Sequence, residues 1–252
     1  MARSHRNGTL VAVVAAVVLL SSPLPVLADF AINILCNSAA CAAQGTYDVD
    51  GLTVHDNQPG DANPLLGAIT VFAGGSIPAI PGFLFNVDTA LRNSSPSVSS
   101  LSLNWGLLDD PSVAGGGTVT LTTSATGFTF PPSGQLSTLT SAVGGVVSVS
   151  GSSVTAQQWA DLGDTLFGTG PITPGPQGPF GPGAFSNVAS TLFVSDPSYS
   201  ITDQLILTLE AGGSTGGNLQ STTVTPEPMT MFLGGTGLVF LGYAARRRLF
   251  GR

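Results

Sequence analysis

Between residues 69 and 209 the apolar side chains recur at every second position. Thr118-Val119-Thr120-Leu121-Thr122 is a strict alternation with β-branched residues on its polar side. A period of two is the repeat of a strand, whose successive side chains point to opposite faces. The same pattern appears at Ile69 and Val71, at Phe83, Phe85 and Val87, and at Leu101, Leu103 and Trp105. It returns at Phe128 and Phe130, Val147 and Val149, Leu192 and Val194, and Leu205, Leu207 and Leu209. Turn-forming clusters separate these runs, among them 73–76, 93–96, 109–111, 115–117 and 131–134. About eight short strands with one apolar face each must pair those faces, and two antiparallel sheets packed face to face do so. The expected fold is therefore all-β: an antiparallel β-sandwich of jelly-roll or immunoglobulin-like kind.

Three stretches interrupt the pattern. Thr155 is a candidate cap for a helix over 156–167, with Trp159, Leu162 and Leu166 on one face; an irregular loop is the alternative. Residues 171–183, with three glycine-led triplets, read as an extended, solvated loop, far too short for a collagen helix. Residues 211–225 are mostly glycine, serine and threonine and read as a spacer, with an edge strand over 219–224 as the alternative. The body is then 29–210, the spacer 211–225.

Charge narrows the partners. Residues 29–225 hold twelve aspartates and Glu210 against Arg92 alone, and the chain has no lysine. A body with a formal charge of about −12 makes a poor ligand for nucleic acid or anionic lipid, both of which need Lys and Arg. Divalent cations and neutral sugars fit better. Asp48, Asp50, Asp56 and Asp61 cluster in one segment, and Asp48-Val49-Asp50-Gly51 is similar to the opening of a calcium loop, which makes these four candidate calcium ligands. The closing bidentate glutamate is missing, so plain turn chemistry is the competing reading. Tyr47, Val49, Leu52 and Val54 suit a short strand or hairpin in the same segment. Cys36 and Cys41 are the only cysteines and are expected to form a disulfide in an oxidising compartment.

Both ends carry targeting features. Arg3 and Arg6 precede an apolar run, Leu10 to Leu20, broken by Pro23 and Pro25. Small residues up to Ala28 match a signal-peptidase site, so 1–28 reads as a signal helix removed between Ala28 and Asp29. At the other end Pro226-Glu227-Pro228 precedes the uncharged run 229–245 and the cluster Arg246, Arg247 and Arg248. Seventeen residues rising 1.5 Å each make a helix of about 25 Å, at the short end of a transmembrane span, with the arginines on the cytoplasmic side.

The order proline-glutamate-proline, apolar glycine-bearing helix, arginine cluster over 226–252 resembles the PEP-CTERM sorting signal, a tail also known as the ice-binding protein C-terminal domain. The resemblance implies recognition of Pro226, Glu227 and Pro228 by an exosortase-type membrane protease, with Arg246 to Arg248 as the membrane stop. It implies an exported bacterial protein, held in the inner membrane before processing and then released to the envelope, surface or extracellular matrix, in the company of exopolysaccharide. It says nothing of an activity in the body.

Catalytic constellations are missing from the sequence. His55 is the only histidine outside the signal, and no G-x-S-x-G, H-E-x-x-H, P-loop or dinucleotide fingerprint occurs. The expectation is a non-enzymatic exported protein without a cofactor, calcium aside. A carbohydrate-binding or calcium-dependent adhesive module is the first alternative. A polysaccharide hydrolase, which needs two carboxyls facing one cleft, is the second.

Overall fold

A computed structural model describes residues 29–38, 41, 47, 50–80, 82–95, 98–110, 115–129 and 133–224. The signal, the tail motif, the apolar run and the arginine cluster, together with Ala28, Asp48 and Phe130, lie outside the described residues. Twelve strands run in chain order: β1 Phe30–Asn37, β2 Leu52–His55, β3 Ala68–Phe72, β4 Phe83–Ser95, β5 Val98–Asp109, β6 Gly117–Phe128, β7 Leu136–Val147, β8 Ser153–Asp161, β9 Gln177–Phe180, β10 Gly183–Val194, β11 Tyr199–Leu209 and β12 Ser214–Val224. They form two six-stranded sheets. Sheet A has the order β2-β1-β6-β11-β8-β9, sheet B the order β10-β7-β12-β5-β4-β3. Every ladder is antiparallel. From β5 onward the chain passes from one sheet to the other at nearly every connection, so each sheet interleaves strands that are distant in sequence.

The alternation in sequence is the alternation of burial. Val119 and Leu121 of β6, Leu101, Leu103, Trp105 and Leu107 of β5, and Leu205, Leu207 and Leu209 of β11 all point into the space between the sheets. Each buried Leu or Val removes enough apolar surface from water to contribute about 1.5–3 kcal/mol. Trp105 fixes the local backbone. Its strand neighbour Gly217 pairs with Gly145 of β7. A Cβ on Gly217 would come 2.8 Å from the indole and 2.2 Å from the Gly144 carbonyl oxygen, so only glycine fits beneath the ring.

The structure corrects four expectations. Residues 153–161 are strand β8, not helix; Val154, Ala156, Gln158 and Ala160 point inward at period two, while Trp159 lies on the outer face. Its ladder with β11 overrides the weak helical pattern. Residues 214–224 are no spacer: β12 sits between β7 and β5 in the interior of sheet B, with Leu219, Ser221 and Thr223 buried, so the sandwich extends to residue 224. Within 171–183, Gln177–Phe180 adds a short edge strand, β9, rather than remaining loop throughout. Finally, Leu192 and Val194 point outward, 62% and 55% exposed, and it is Phe193 between them that enters the core.

The disulfide is present. Cys36, near the end of β1, is joined to Cys41 just beyond the strand, and both are fully buried. Tyr47 is anchored nearby, its phenol donating to the Pro78 carbonyl at 2.6 Å; burial raises its pKa.

Candidate functional site

Three places in the sandwich carry chemistry. The first is a cleft of about 670 Å³ at the end of the molecule, lined by Asp29, His55, Asp56, Gln58, Leu66 and Leu91 among others. His55 Nδ1 lies 3.1 Å from Asp29 Oδ1, and both side chains are about half exposed. The backbone amide of Asp29 donates to Thr126 Oγ1 at 2.9 Å. A His–Asp pair can orient a base, but nucleophilic catalysis also needs a serine or cysteine within reach, and neither occurs among the described residues that line the cleft. Asp56 is committed elsewhere. One oxygen accepts from the Gly67 amide at 2.8 Å, the other from Asn57 Nδ2 at 2.9 Å.

Of the proposed calcium ligands, the three described ones, Asp50, Asp56 and Asp61, do not form a metal-holding group. Asp61 accepts from the backbone amides of Asn57, Asn63 and Thr70 at 3.0, 2.8 and 3.0 Å, which makes it the brace of the 57–70 loop. Asp50 is exposed, and its backbone carbonyl receives Asn33 Nδ2 at 3.0 Å. Among the described residues no group of three His, Cys, Asp or Glu side chains is placed to hold a metal ion. Asp48 lies outside the described residues.

The second place is a polar belt through the core. Thr123, Asp203 and Gln158 are register neighbours across the inner face of sheet A. Each reaches across to sheet B or to the rim. Thr123 and Thr89 hydroxyls meet at 3.0 Å; Ser221 donates to Asp203; Ser141 donates to Gln158 and accepts from Gln177. Further along, the Tyr199 phenol meets Thr223 Oγ1 at 2.7 Å, and burial pushes its pKa up to about 12. Asp203 is fully buried. Loss of water pushes its carboxyl up to about 8, while the Ser221 hydrogen bond pulls the other way. At neutral pH it is therefore mostly a neutral acid. Asp203 Oδ2, Gln158 Nε2 and Gln177 Oε1 have no partner in the belt. The signal for this belt was in the sequence: Asp203 stands at the inward parity of Leu205 and Leu207, where an apolar residue belongs.

The third place is the outer face of sheet B. Register aligns Phe72, Asn86, Gly106, Gly216 and Val146 in one row across β3, β4, β5, β12 and β7. The two glycines leave a gap in the face, and nothing lies within 4 Å of where a Cβ on Gly106 would stand. The resulting depression, about 430 Å³, is bordered by Leu84 and Leu108, which are 63% and 41% exposed. The next row brings amides: Asn218 Nδ2 donates to Asn104 Oδ1 at 2.8 Å, and Asp88 beside them accepts from Thr70 Oγ1 at 2.7 Å. An apolar wall, an open floor and the Asn104–Asn218 amide pair, flanked by the Asp88 carboxyl, suit a polyhydroxylated ligand.

No family model matches the chain, and no curated protein matches it. Solved structures overlap it loosely. The enzymatically active domain of bacteriophage CBA120 tailspike protein 4 shares 12% identity at a TM-score of 0.23, over 52% of this chain and 17% of that one. The VP2 subviral particle of infectious bursal disease virus shares 14% at 0.27, over 81% and 55%. The CBM22-1 xylan-binding domain of Paenibacillus barcinonensis Xyn10C shares 8% at 0.26, over 66% and 90%. The chain thus spans about a sixth of the tailspike domain and about half of the VP2 chain. Superpositions this loose carry no argument about what the chain does.

Proposed function

We propose that this chain is an exported, non-catalytic sandwich that holds neutral polysaccharide on the outer face of sheet B. The carrying observation is the depression over Gly106, walled by Leu84 and Leu108, with Asn104 and Asn218 paired in the next row. A sugar ring offers apolar C–H faces to the leucines and hydroxyls to the amides. Neutral ligands also avoid the repulsion that the acidic body imposes on anionic ones. Delivery belongs to the termini: a signal peptidase acting after Ala28, and an exosortase-type protease acting near Pro226-Glu227-Pro228, with the product joining an exopolysaccharide-containing matrix. The tail motif supports that part, and a secreted-fraction assay of chains with and without 226–252 tests it. If both forms reach the same compartment at the same size, the sorting reading fails.

Gly106→Val tests the binding site. Its Cβ meets open space, so the strand keeps its stability while the floor is filled. Affinity electrophoresis in gels containing neutral matrix glycans should show retardation of the wild type and none of the variant. Equal mobility in every glycan, or equal retardation of both proteins, refutes the site.

A further inference from the structure

The four edge strands of the sandwich are not alike. Sheet A ends in β2 and β9, four residues each, and sheet B ends on one side in the five-residue β3. β9 is blunted further by Pro179 and by a register shift against β8. Short edges, prolines and irregular ladders are how sandwiches prevent strand addition. β10, the fourth edge, has none of these. It is twelve residues long, contains no proline, and pairs with β7 residue for residue without a shift.

Its chemistry is equally unguarded. Val188, Leu192 and Val194 of β10 stand 66%, 62% and 55% exposed on the outer face, and Leu136 of β7, opposite Val194, is 54% exposed. No residue of β10, β7 or β12 is ionisable. The rest of the body is strongly acidic. Asp88 on β4 lies four strand spacings from β10, roughly 19 Å. That exceeds the Debye length of about 8 Å at physiological salt. Asp196 lies two residues beyond β10, yet in an antiparallel pairing of two copies it falls at opposite ends of the ladder.

We infer that β10 is the interface for a second copy of this chain, the two β10 strands pairing antiparallel about a two-fold axis to make one continuous twelve-stranded sheet. The choice of occupant follows from charge and symmetry. Two bodies of like charge can meet closely only where that charge is absent, and the face built from β10, β7 and β12 is such a place. A two-fold axis also lets one surface serve both partners. With the axis at Val188 this exposed valine opposes its own copy, and Leu192 meets Ala184. The Gly106 depression lies further along the same face, so both copies present it on one side. The inference stands whether or not that depression binds sugar.

The test uses the full chain purified in a neutral detergent. Sedimentation velocity should give a dimer for the wild type and a monomer for Val188→Lys/Leu192→Lys, whose exposed positions leave the fold intact by circular dichroism. Val188→Cys should cross-link to a covalent dimer on mild oxidation, while Thr120→Cys, on the outer face of sheet A, should not. A monomeric wild type overturns the inference. So does a dimer that survives the double lysine variant, which would place the contact in the tail or elsewhere, or equal cross-linking through both cysteines.

Discussion

Replacing Asp203 by asparagine should stabilise the protein, and by an amount that grows with pH. The folded carboxyl titrates near 8, against an ordinary value of 3.8. Below about pH 4 the group is protonated in both states and contributes nothing to pH dependence. As pH rises, the unfolded chain ionises at once while the folded chain must keep its proton, so the unfolded state gains about 1.4 kcal/mol per unit. The loss levels off above pH 8. At pH 7 it amounts to about 4 kcal/mol, a large share of the roughly 5–15 kcal/mol that holds a domain together. Asparagine is nearly isosteric and keeps an acceptor for Ser221. Urea denaturation of wild type and Asp203→Asn between pH 4.5 and 8.5 measures this directly, since every other carboxylate cancels in the difference. The gap should widen steadily with pH. Parallel curves would mean that water reaches Asp203 and that the belt is not sealed.

Other outcomes follow from the same packing. Gly217→Ala drives a methyl into Trp105 and the Gly144 carbonyl and should cost about 1–3 kcal/mol, with blue-to-red movement of tryptophan fluorescence as the check. Reducing Cys36–Cys41, five residues apart in sequence, should cost about 2 kcal/mol by chain entropy, read as a lower denaturation midpoint in reductant. Asp61→Ala strands three backbone amides and should cost about 1–3 kcal/mol, equally in calcium and in chelator; a loss seen only in calcium would restore the metal reading.

How much of this was legible beforehand differs from strand to strand. Strands whose inward residues are large and apolar, such as β5 and β11, declared both their existence and their facing. β8 and β12 did not. Apart from Val154 and Leu219, their inward positions are Ala156, Gln158 and Ala160 in one, Thr215, Gly217, Ser221 and Thr223 in the other, small or polar residues that local pattern reading assigns to helix or linker. They are strands because neighbours on both sides supply a ladder, and that information resides in β5, β7 and β11. β10 was read with the wrong facing, because both of its faces carry apolar residues and parity alone cannot choose between them.

By itself the sequence determined the sandwich class, the short disulfide and the acidity of the body, since each depends on period, spacing or composition within a short stretch. Only the tertiary structure decided which carboxylate is buried, which edge is left open and which glycines line up to make a depression. Those features come from register between strands far apart in the chain, where Asp203 meets Ser221, Gly106 meets Gly216, and β10 finds a partner on one side only among the described residues.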